Sequence, residues 1–343
     1  MSSGLKILVV DDSAFMRLLI SDLISEDQEL EVVGTATNGL DAAEKVSELS
    51  PDVVVLDLNM GKYDGLFAVK SIMKEKPTPI LILSSVGNTN LDPIFEALKY
   101  GAVDYMNKPN RNNSKMRLMR SELITKVKSV SRAKPRTSVE DPSPRVSTEK
   151  TSHTSKFEII VIGASTGGPS AIERVIRDLP QDFDIPIVIC QHMPSSFISP
   201  FVNRLDSLTS LKVSLGTKSM SLLRGSITIC PGVANMIVTE KRNEKTLDFT
   251  DEQFREYNNP SINAMMLSVA KVYGDKSVGV LLTGMGKDGV RGLKAIKDAG
   301  GFTIAQDEHS SIIYGMPKVA VENQAVSISL DVKNIGGHFV NKL

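Results

Sequence analysis

Residues 157–176, FEIIVIGASTGGPSAIERVI, decide the fold of the second half of the chain. The β-branched run predicts a buried strand, the glycines around Ser165 predict a tight turn, and Pro169 suits the first turn of a following helix. Further apolar runs, each followed by a helical pattern, are IPIVICQHM, SITICPG, SVGVLLTGMG and FTIAQ. Alternating strands and helices are typical of a doubly wound parallel sheet, so we expect an α/β domain over residues 157–343.

The first 130 residues show the same alternation. Five strand candidates are separated by amphipathic stretches: KILVV, EVVGTA, DVVVLDL, PILILSS and DYMNK. They predict a (βα)5 domain with a parallel sheet over residues 1–130. Residues 131–156 are rich in Ser, Thr, Pro and Lys and lack apolar periodicity, which is typical of a flexible linker. Two domains also fit a length of 343 residues, which is too long for one ordinary core.

The charge balance gives no reason to expect a nucleic-acid partner. Lys and Arg together number 40, as do Asp and Glu, so the net charge is zero. Residues 111–156 carry a local excess of basic residues, but no aromatic residue that could stack on bases occurs in this stretch. It therefore favours a solvated helix face, a tether or a docking surface for another protein.

The expected location is the cytoplasm. No apolar run is long enough to span a membrane, and MSSGLKILVVDDS has no pattern of an export signal. Cys190 and Cys230, the two cysteines, both end apolar strand-like runs. Buried, reduced thiols are therefore expected at these positions rather than a disulfide or a nucleophile.

Polar and charged residues stand at the ends of four strands of the first domain. Asp11 and Asp12 follow KILVV, Asp57 ends DVVVLD, and Ser84 and Lys108 end two later runs. Parallel strands deliver such residues to one sheet edge, where open α/β sheets bind ligands. Three carboxylates there would repel one another without a hard cation, so we expect Mg²⁺ beside a phosphoryl-accepting carboxylate. Simple helix capping by Asp is the alternative, and it does not explain the whole set.

This pattern resembles the receiver domain of two-component response regulators over most of the first 130 residues. The resemblance implies a role for each residue: Asp57 as phosphoacceptor; Asp11, Asp12, Asp57 and the backbone carbonyl of Asn59 as Mg²⁺ ligands; Ser84 as switch hydroxyl; Tyr105 as switch aromatic; and Lys108 as the cation that contacts phosphate. One departure is Gly61, because receivers usually carry proline in the loop after the acceptor. Glycine there predicts a less rigid loop.

The second domain carries a motif with two interpretations. Gly163 to Gly167, GASTG, matches G-x-S-x-G, in which a sharp turn lifts a serine hydroxyl above the sheet edge. A glycine loop before a helix can equally bind a phosphate at the helix N-terminus. The motif alone leaves a nucleophile and a phosphate loop open.

The residues at neighbouring strand ends favour the nucleophile. His192 ends the strand after Ser165 and can act as a general base, and Asp288 in GMGKDG can orient the imidazole. The other histidines lie elsewhere in the pattern, namely His153, His309 and His338. Asp288 as a helix cap and His192 as a turn residue are the simpler alternatives. The order Ser, His, Asp differs from the α/β-hydrolases, so that fold is not expected.

Four segments together resemble the chemotaxis protein-glutamate methylesterases, the CheB family: GASTGGP, QHMPSSFISPFVNRL, LLTGMGKDGVRGL and AQDEHSSIIYGMPKVA. The resemblance covers residues 157–343, and the order of receiver, linker and esterase matches from end to end. It implies these roles: Ser165 as nucleophile, His192 as general base and acid, Asp288 as orienting carboxylate, and backbone amides at Thr166 and Met285 as oxyanion donors. Asn235 and Asn263 depart from the His and Asp that relatives often show, and we expect both to line the substrate groove.

The implied function is a phosphorylation-regulated hydrolase. Its substrates would be γ-glutamyl methyl esters on chemoreceptors, with glutamine deamidation as a related activity, and its phosphodonor would be the chemotaxis histidine kinase. Membrane association would arise only through the receptors. Mg²⁺ is implied in the receiver, and no cofactor is expected in the esterase domain, where no ligand spacing for a metal occurs. The alternative is a response regulator whose second domain binds a ligand or partner without catalysis.

Overall fold

A computed structural model of the protein describes residues 4–84, 91–108, 113–135 and 155–343, with only the backbone for residues 113–115. The chain forms two compact units, Met1–Asp141 and Pro142–Leu343. This division agrees with the two expected domains. Most of the predicted linker, residues 136–154, lies outside the described residues, so its exact limits stay a prediction.

The first unit contains a five-stranded parallel sheet of order β2-β1-β3-β4-β5. Its strands are β1 Leu5–Val10, β2 Leu30–Ala36, β3 Val53–Asp57, β4 Ile80–Ser84 and β5 Asp104–Asn107. Its helices are α1 Ala14–Ser25, α2 Gly39–Leu49, α3 Gly65–Glu75, α4 Asp92–Lys99 and α5 Asn113–Val130. Every residue of β3 and β4 is buried, as expected for parallel strands covered by helices on both faces.

Two glycines shape the segment after β3. A Cβ on Gly65 would lie 2.3 Å from the carbonyl oxygen of Asp57, so only glycine lets α3 begin this close to the strand end. Gly61 has φ of +59°, and nothing lies near the position of its missing Cβ. Proline is restricted to φ near −65°, so the loop follows a path that proline cannot adopt.

The second unit contains a seven-stranded parallel sheet of order β14-β13-β12-β6-β7-β9-β8 and an antiparallel hairpin, β10-β11. Its strands are β6 Ile159–Ala164, β7 Ile187–Gln191, β8 Lys212–Leu215, β9 Ser226–Ile229, β10 Asn235–Lys241, β11 Glu244–Thr250, β12 Ser277–Leu281, β13 Phe302–Gln306 and β14 Ile328–Leu330. Its α-helices are α6 Gly168–Arg177, α7 Ser195–Asp206, α8 Ile262–Tyr273, α9 Val290–Asp298, α10 Met316–Glu322 and α11 Val332–Lys342, and a short 3-10 helix spans Gly274–Lys276.

Helix α8 connects the hairpin to the sheet. It contacts β10 as well as β6 and β12, and its apolar residues join one buried core with residues of the sheet and the hairpin. The N-terminus of α8 therefore has a fixed position relative to the ends of the central strands. No helix in the described part of the chain is long and apolar enough to cross a membrane.

Candidate active site

The three residues of the predicted triad meet at the ends of three adjacent strands, β12, β6 and β7. His192 Nδ1 lies 3.2 Å from Ser165 Oγ, and His192 Nε2 lies 2.9 Å from Asp288 Oδ2. The side chains of His192 and Asp288 are almost fully buried. The structure thus connects a hydroxyl to an imidazole and the imidazole to a carboxylate, which is the order of contacts that nucleophilic catalysis needs.

Ser165 sits on a tight turn between β6 and α6. Its N–H donates to the carbonyl oxygen of Thr283 at 3.0 Å, and its own carbonyl oxygen accepts from Gly168 N at 2.7 Å. Gly167 has φ of +77°, and a Cβ on Gly168 would lie 2.0 Å from Gln191 Oε1. The glycines are therefore needed both for the backbone conformation and for close packing, and they place Ser165 at the start of α6.

Backbone groups hold the Asp288 carboxylate. Oδ2 accepts from Ile262 N at 2.7 Å, and Oδ1 accepts from Asn263 N at 3.0 Å and Gly289 N at 2.9 Å. Since Ile262 and Asn263 begin α8, the carboxylate lies at the positive end of that helix. Asp288 thus contacts both the N-terminus of α8 and His192. The cap of the following helix that the sequence also allowed does not form, because the N-cap position of α9 is Gly289 and no side chain bonds there.

The predicted oxyanion donors lie beside Ser165. Thr166 is buried, and its carbonyl oxygen accepts from Thr283 Oγ1 at 3.0 Å. Met285 is exposed and follows Gly284, where a Cβ would lie 2.6 Å from Ser165 Cβ. Both residues are therefore close to the hydroxyl, and donation from their amides to an oxyanion stays a prediction.

His309, His338 and the two cysteines lie outside this set of contacts. His338 stacks on Phe302, His309 is exposed, and His153 falls outside the described residues. Both cysteines are free and buried, and burial raises the pKa of the Cys190 thiol well above its ordinary value. Inert thiols were expected from the sequence, and this environment agrees with that expectation.

The carboxylates of the first unit surround one lysine. Lys108 Nζ lies 2.7 Å from Asp11 Oδ2 and 2.8 Å from Asp57 Oδ2. Burial raises the pKa of Asp57 above its ordinary value, although Lys108 opposes this shift. Burial would lower the pKa of Lys108, but its hydrogen bonds to Asp11 and Asp57 outweigh that effect and raise it. The ammonium is thus held in its charged form between two carboxylates.

The same acidic group fits a divalent cation. Carboxylate oxygens of Asp11, Asp12 and Asp57 lie within 4.8 Å of one another. Asp57 Oδ1 is buried and accepts no hydrogen bond from the described residues, so one acceptor faces the group unsatisfied. Oxygen ligands at this spacing and charge are those that Mg²⁺ binds. Asn59, the next predicted ligand, follows Asp57 by two residues, just after the end of β3.

The predicted switch residues lie on β4 and β5, next to this group. Ser84 ends β4 and is buried, and its carbonyl oxygen accepts from Lys108 N at 2.6 Å. The ring of Tyr105 is buried on β5, where Tyr105 pairs in register with Ile82 of β4. The two residues therefore lie on adjacent strands that both end at the acceptor site.

Comparison with known proteins agrees with this geometry. A family model described as CheB methylesterase matches residues 160–339, and one for the response regulator receiver domain matches residues 7–119. The protein-glutamate methylesterase/protein-glutamine glutaminase of Lawsonia intracellularis is 37% identical over 98% of this chain and 99% of its own length. The protein of the same name from Pyrococcus horikoshii is also 37% identical, over 98% of this chain and 92% of its own.

A solved structure agrees as well. The CheB methylesterase catalytic domain of Thermotoga maritima is 31% identical, with a TM-score of 0.53, and the match covers 55% of this chain and 99% of that domain. This chain belongs to the CheB methylesterase family. Membership confirms the α/β fold with an N-terminal receiver and the hydrolase class that the sequence predicted. The alternative, a second domain without catalytic activity, is not favoured.

Two departures from the CheB pattern have a different role from the one expected. Asn235 and Asn263 were expected to line the substrate groove, but both are buried, with exposed fractions of 1% and 0%. Asn235 binds the chain that leads into α8, and Asn263 Oδ1 accepts from Gly292 N at 2.9 Å. Both side chains are buried and hydrogen-bond backbone groups near the site, so the expectation of a groove position was wrong.

Two residues of this CheB site were not identified from the sequence. Gln191 is buried, and its Nε2 donates to the carbonyl oxygens of Ser165 at 3.0 Å and His192 at 2.8 Å. Tyr257 stacks on the His192 imidazole, with ring centroids 3.8 Å apart. Gln191 could have been found as a polar residue ending an apolar strand. Tyr257 lies in a loop whose path depends on tertiary contacts, so no local pattern indicates it.

Proposed function

We propose that the protein hydrolyses γ-glutamyl methyl esters on chemoreceptors and that phosphorylation of Asp57 regulates this reaction. The observation that carries the proposal is the pair of contacts from His192, to Ser165 on one side and Asp288 on the other. Relatives named protein-glutamate methylesterase/protein-glutamine glutaminase over nearly the whole chain support the substrate class. The proposed receptor and kinase partners place the reaction in the cytoplasm, and no nucleic-acid partner is included.

Asp288 determines which ring nitrogen of His192 carries the proton in this mechanism. Its carboxylate accepts from three backbone N–H groups and still presents Oδ2 to the imidazole. Oδ2 therefore favours the neutral tautomer that carries its proton on Nε2. The lone pair of Nδ1 then faces Ser165 Oγ and can take its proton.

The chemistry then follows the two halves of acyl transfer. Ser165 Oγ attacks the ester carbonyl while His192 takes the hydroxyl proton, and the imidazolium returns that proton to the leaving methoxide, so that methanol departs. Water, activated by the same imidazole, hydrolyses the acyl-enzyme and restores the serine with a free glutamate. Amides at Thr166 and Met285 would stabilise the oxyanion in both halves. A glutamine amide presents the same carbonyl, and ammonia would leave in place of methanol.

The receiver would supply the control. Asp57 Oδ1, the buried oxygen without a hydrogen bond from the described residues, is the atom that would accept a phosphoryl group from the histidine kinase. Asp11, Asp12, Asp57 and the Asn59 carbonyl would hold Mg²⁺, which supplies positive charge beside the phosphoryl oxygens. Lys108 contacts Asp57 directly, so it is placed to contact the same group.

The direct test is methanol release from methylated receptor by the full-length protein, with and without acetyl phosphate and Mg²⁺. We expect release that depends on Ser165 and increases with acetyl phosphate. A serine-directed phosphonate should label the wild-type protein and leave the Ser165→Ala variant unlabelled. Absence of methanol release and of labelling in the wild-type protein would contradict the proposal.

A further inference from the structure

The loop between β11 and α8 carries an aromatic ring over the imidazole. Tyr257 stacks on His192 with a centroid separation of 3.8 Å and an interplanar angle of 19°. The tyrosine remains 42% exposed, so its ring covers one face of the imidazole while it is itself open to solvent. An exposed aromatic side chain at this position is therefore not part of the hydrophobic core.

A buried asparagine fixes the loop on both sides of Tyr257. Asn235 Nδ2 donates to the carbonyl oxygen of Glu252 at 2.9 Å and to Asn258 Oδ1 at 2.8 Å. Asn235 Oδ1 accepts from Asn259 N at 2.8 Å and Ser261 N at 2.9 Å. All four partners belong to the loop, and the Asn258 side chain also hydrogen-bonds to the N–H and the carbonyl oxygen of Phe254 within it, so the chain on both sides of Tyr257 is anchored.

The geometry of His192 explains why a stacked ring matters. Its two hydrogen bonds, at Nδ1 and Nε2, lie on opposite sides of the ring and define an axis. Rotation about the Cβ–Cγ bond would swing the ring out of its plane and turn both nitrogen orbitals away from Ser165 and Asp288. A flat aromatic face at stacking distance opposes such a rotation, and it excludes water from that side of the ring.

We propose that Tyr257 is a positioning residue for His192, and that its ring holds the imidazole plane in the orientation that joins Ser165 to Asp288. The inference rests on the proposed esterase function and deepens it. The aromatic face also lies against the imidazolium that forms when His192 takes the serine proton, and a ring face attracts a cation. The hydroxyl group of Tyr257 has no part in this role.

The test compares Tyr257→Ala, Tyr257→Phe and Leu223→Ala in the full-length protein activated with acetyl phosphate and Mg²⁺. Leu223 is an exposed apolar residue in the segment between β8 and β9, which makes it a matched control for the loss of surface apolar area. We expect Tyr257→Ala to lower kcat about tenfold with KM changed less than about twofold, because misplaced catalytic groups affect turnover rather than binding. Tyr257→Phe and Leu223→Ala should stay within about twofold of the wild-type kcat.

Three results would overturn the inference. A rise in KM at constant kcat for Tyr257→Ala would make Tyr257 a substrate contact, and equal losses in the Phe and Ala variants would assign the effect to the hydroxyl. Unchanged kcat in Tyr257→Ala would remove the role altogether. If the wild-type protein releases no methanol, the proposed substrate fails separately, and the rate of phosphonate labelling of Ser165 still tests the inference. Tyr257→Ala should slow that labelling about tenfold.

Discussion

Asp288 shows how much of the chemistry depends on the backbone groups around a single side chain. Three N–H groups, two of them at the start of α8, hold its carboxylate before it contacts His192. The anion is therefore stabilised by a helix end and by direct hydrogen bonds, not by a counter-ion. Ser261 Oγ also donates to Oδ1 at 3.4 Å, so Oδ2 is the oxygen that contacts the imidazole, at 2.9 Å, and this contact determines which ring nitrogen faces Ser165.

Removing any member of the Ser165, His192 and Asp288 set should nearly abolish methanol release. Ser165→Ala and His192→Ala should each lower turnover by roughly 10³ to 10⁶, because the members act as a unit. Asp288→Asn should lower it by about 10⁴, since the amide NH₂ only donates, so the N–H groups that faced the replaced oxygen lose their acceptor and His192 loses the carboxylate that sets its tautomer. It should also lower the free energy of unfolding by about 1–3 kcal/mol, because buried N–H groups lose an acceptor.

Steady-state methanol release and urea unfolding of the same variants measure both effects. Ser165→Ala serves as the stability control, because it removes the hydrogen bond between Ser165 Oγ and His192 Nδ1 and leaves the Asp288 contacts intact. A Ser165→Ala protein with a tenth of wild-type turnover would exclude the serine mechanism. An Asp288→Asn protein with near-normal turnover would reduce Asp288 to a helix cap.

Phosphorylation at the receiver should depend on one carboxylate. Asp57→Asn removes the acceptor and one of the three clustered charges, so acetyl phosphate should no longer label the protein and Mg²⁺ binding should weaken. Acid-labile phosphate incorporation and a Mg²⁺ titration measure these effects. Asp22→Asn, a change at an exposed carboxylate of α1, should behave as the wild-type protein does. Continued labelling of Asp57→Asn would identify a different acceptor, and chelation of Mg²⁺ should stop labelling of the wild-type protein.

The elements that could be predicted from the sequence are those that are buried on both faces. The strands β3, β4, β6, β7 and β12 are mainly apolar and buried along their whole length, and their ends place site residues. The two edge strands, β8 and β14, are short and largely exposed, so apolar content did not indicate them. The β10-β11 hairpin mixes buried, half-buried and exposed residues without a continuous apolar run. It was not predicted, and with it the loop that carries Tyr257 was missed.

The turn at Gly61 gives a prediction at the level of one element. Its φ of +59° suits glycine, and no atom lies within 4 Å of the missing Cβ, so substitutions there act through the backbone alone. Gly61→Ala should lower the free energy of unfolding of the receiver by about 1 kcal/mol, and Gly61→Pro should lower it by more. Urea unfolding of the full-length variants measures this change.

The matched control is Gly337→Ala in α11, where a Cβ also meets nothing and no positive φ occurs. That change should be neutral or stabilising by up to about 1 kcal/mol, because alanine favours the helix more than glycine. If Gly61→Pro were as stable as the wild-type protein, the left-handed turn would not be the conformation that the loop requires.

At the scale of the whole molecule, the order of receiver and esterase was predictable because each half carries its own specific motifs. Each half also forms a compact unit with its own parallel sheet, so the strand pattern of each half is sufficient to predict its fold. Strand patterns do not show how one half affects the other. Regulation depends on the difference between the phosphorylated and unphosphorylated states of the receiver, and both states have the same fold. The prediction for regulation therefore depends on the resemblance to the CheB family and on the high effective concentration of two domains in one chain.

Because both units belong to one chain, each is present to the other at an effective concentration in the millimolar range, so even a weak inhibitory interaction would be populated. We predict that the unphosphorylated receiver inhibits the esterase and that phosphorylation of Asp57 weakens this inhibition by shifting the population of receiver states. A fragment of residues 151–343 should then release methanol faster than the unphosphorylated full-length protein. Acetyl phosphate should stimulate the full-length protein alone, and the ratio of the two basal rates sets the upper limit of that stimulation.

The fragment experiment is feasible because the catalytic domain of the Thermotoga maritima relative has been solved as a separate chain that aligns with this unit. Full-length Asp57→Asn provides the control, since it keeps the receiver in place and removes the acceptor. It should show the low basal rate with no response to acetyl phosphate. Equal basal rates for the fragment and the full-length protein would exclude inhibition by the receiver. The receiver would then control where the esterase binds and not its turnover rate.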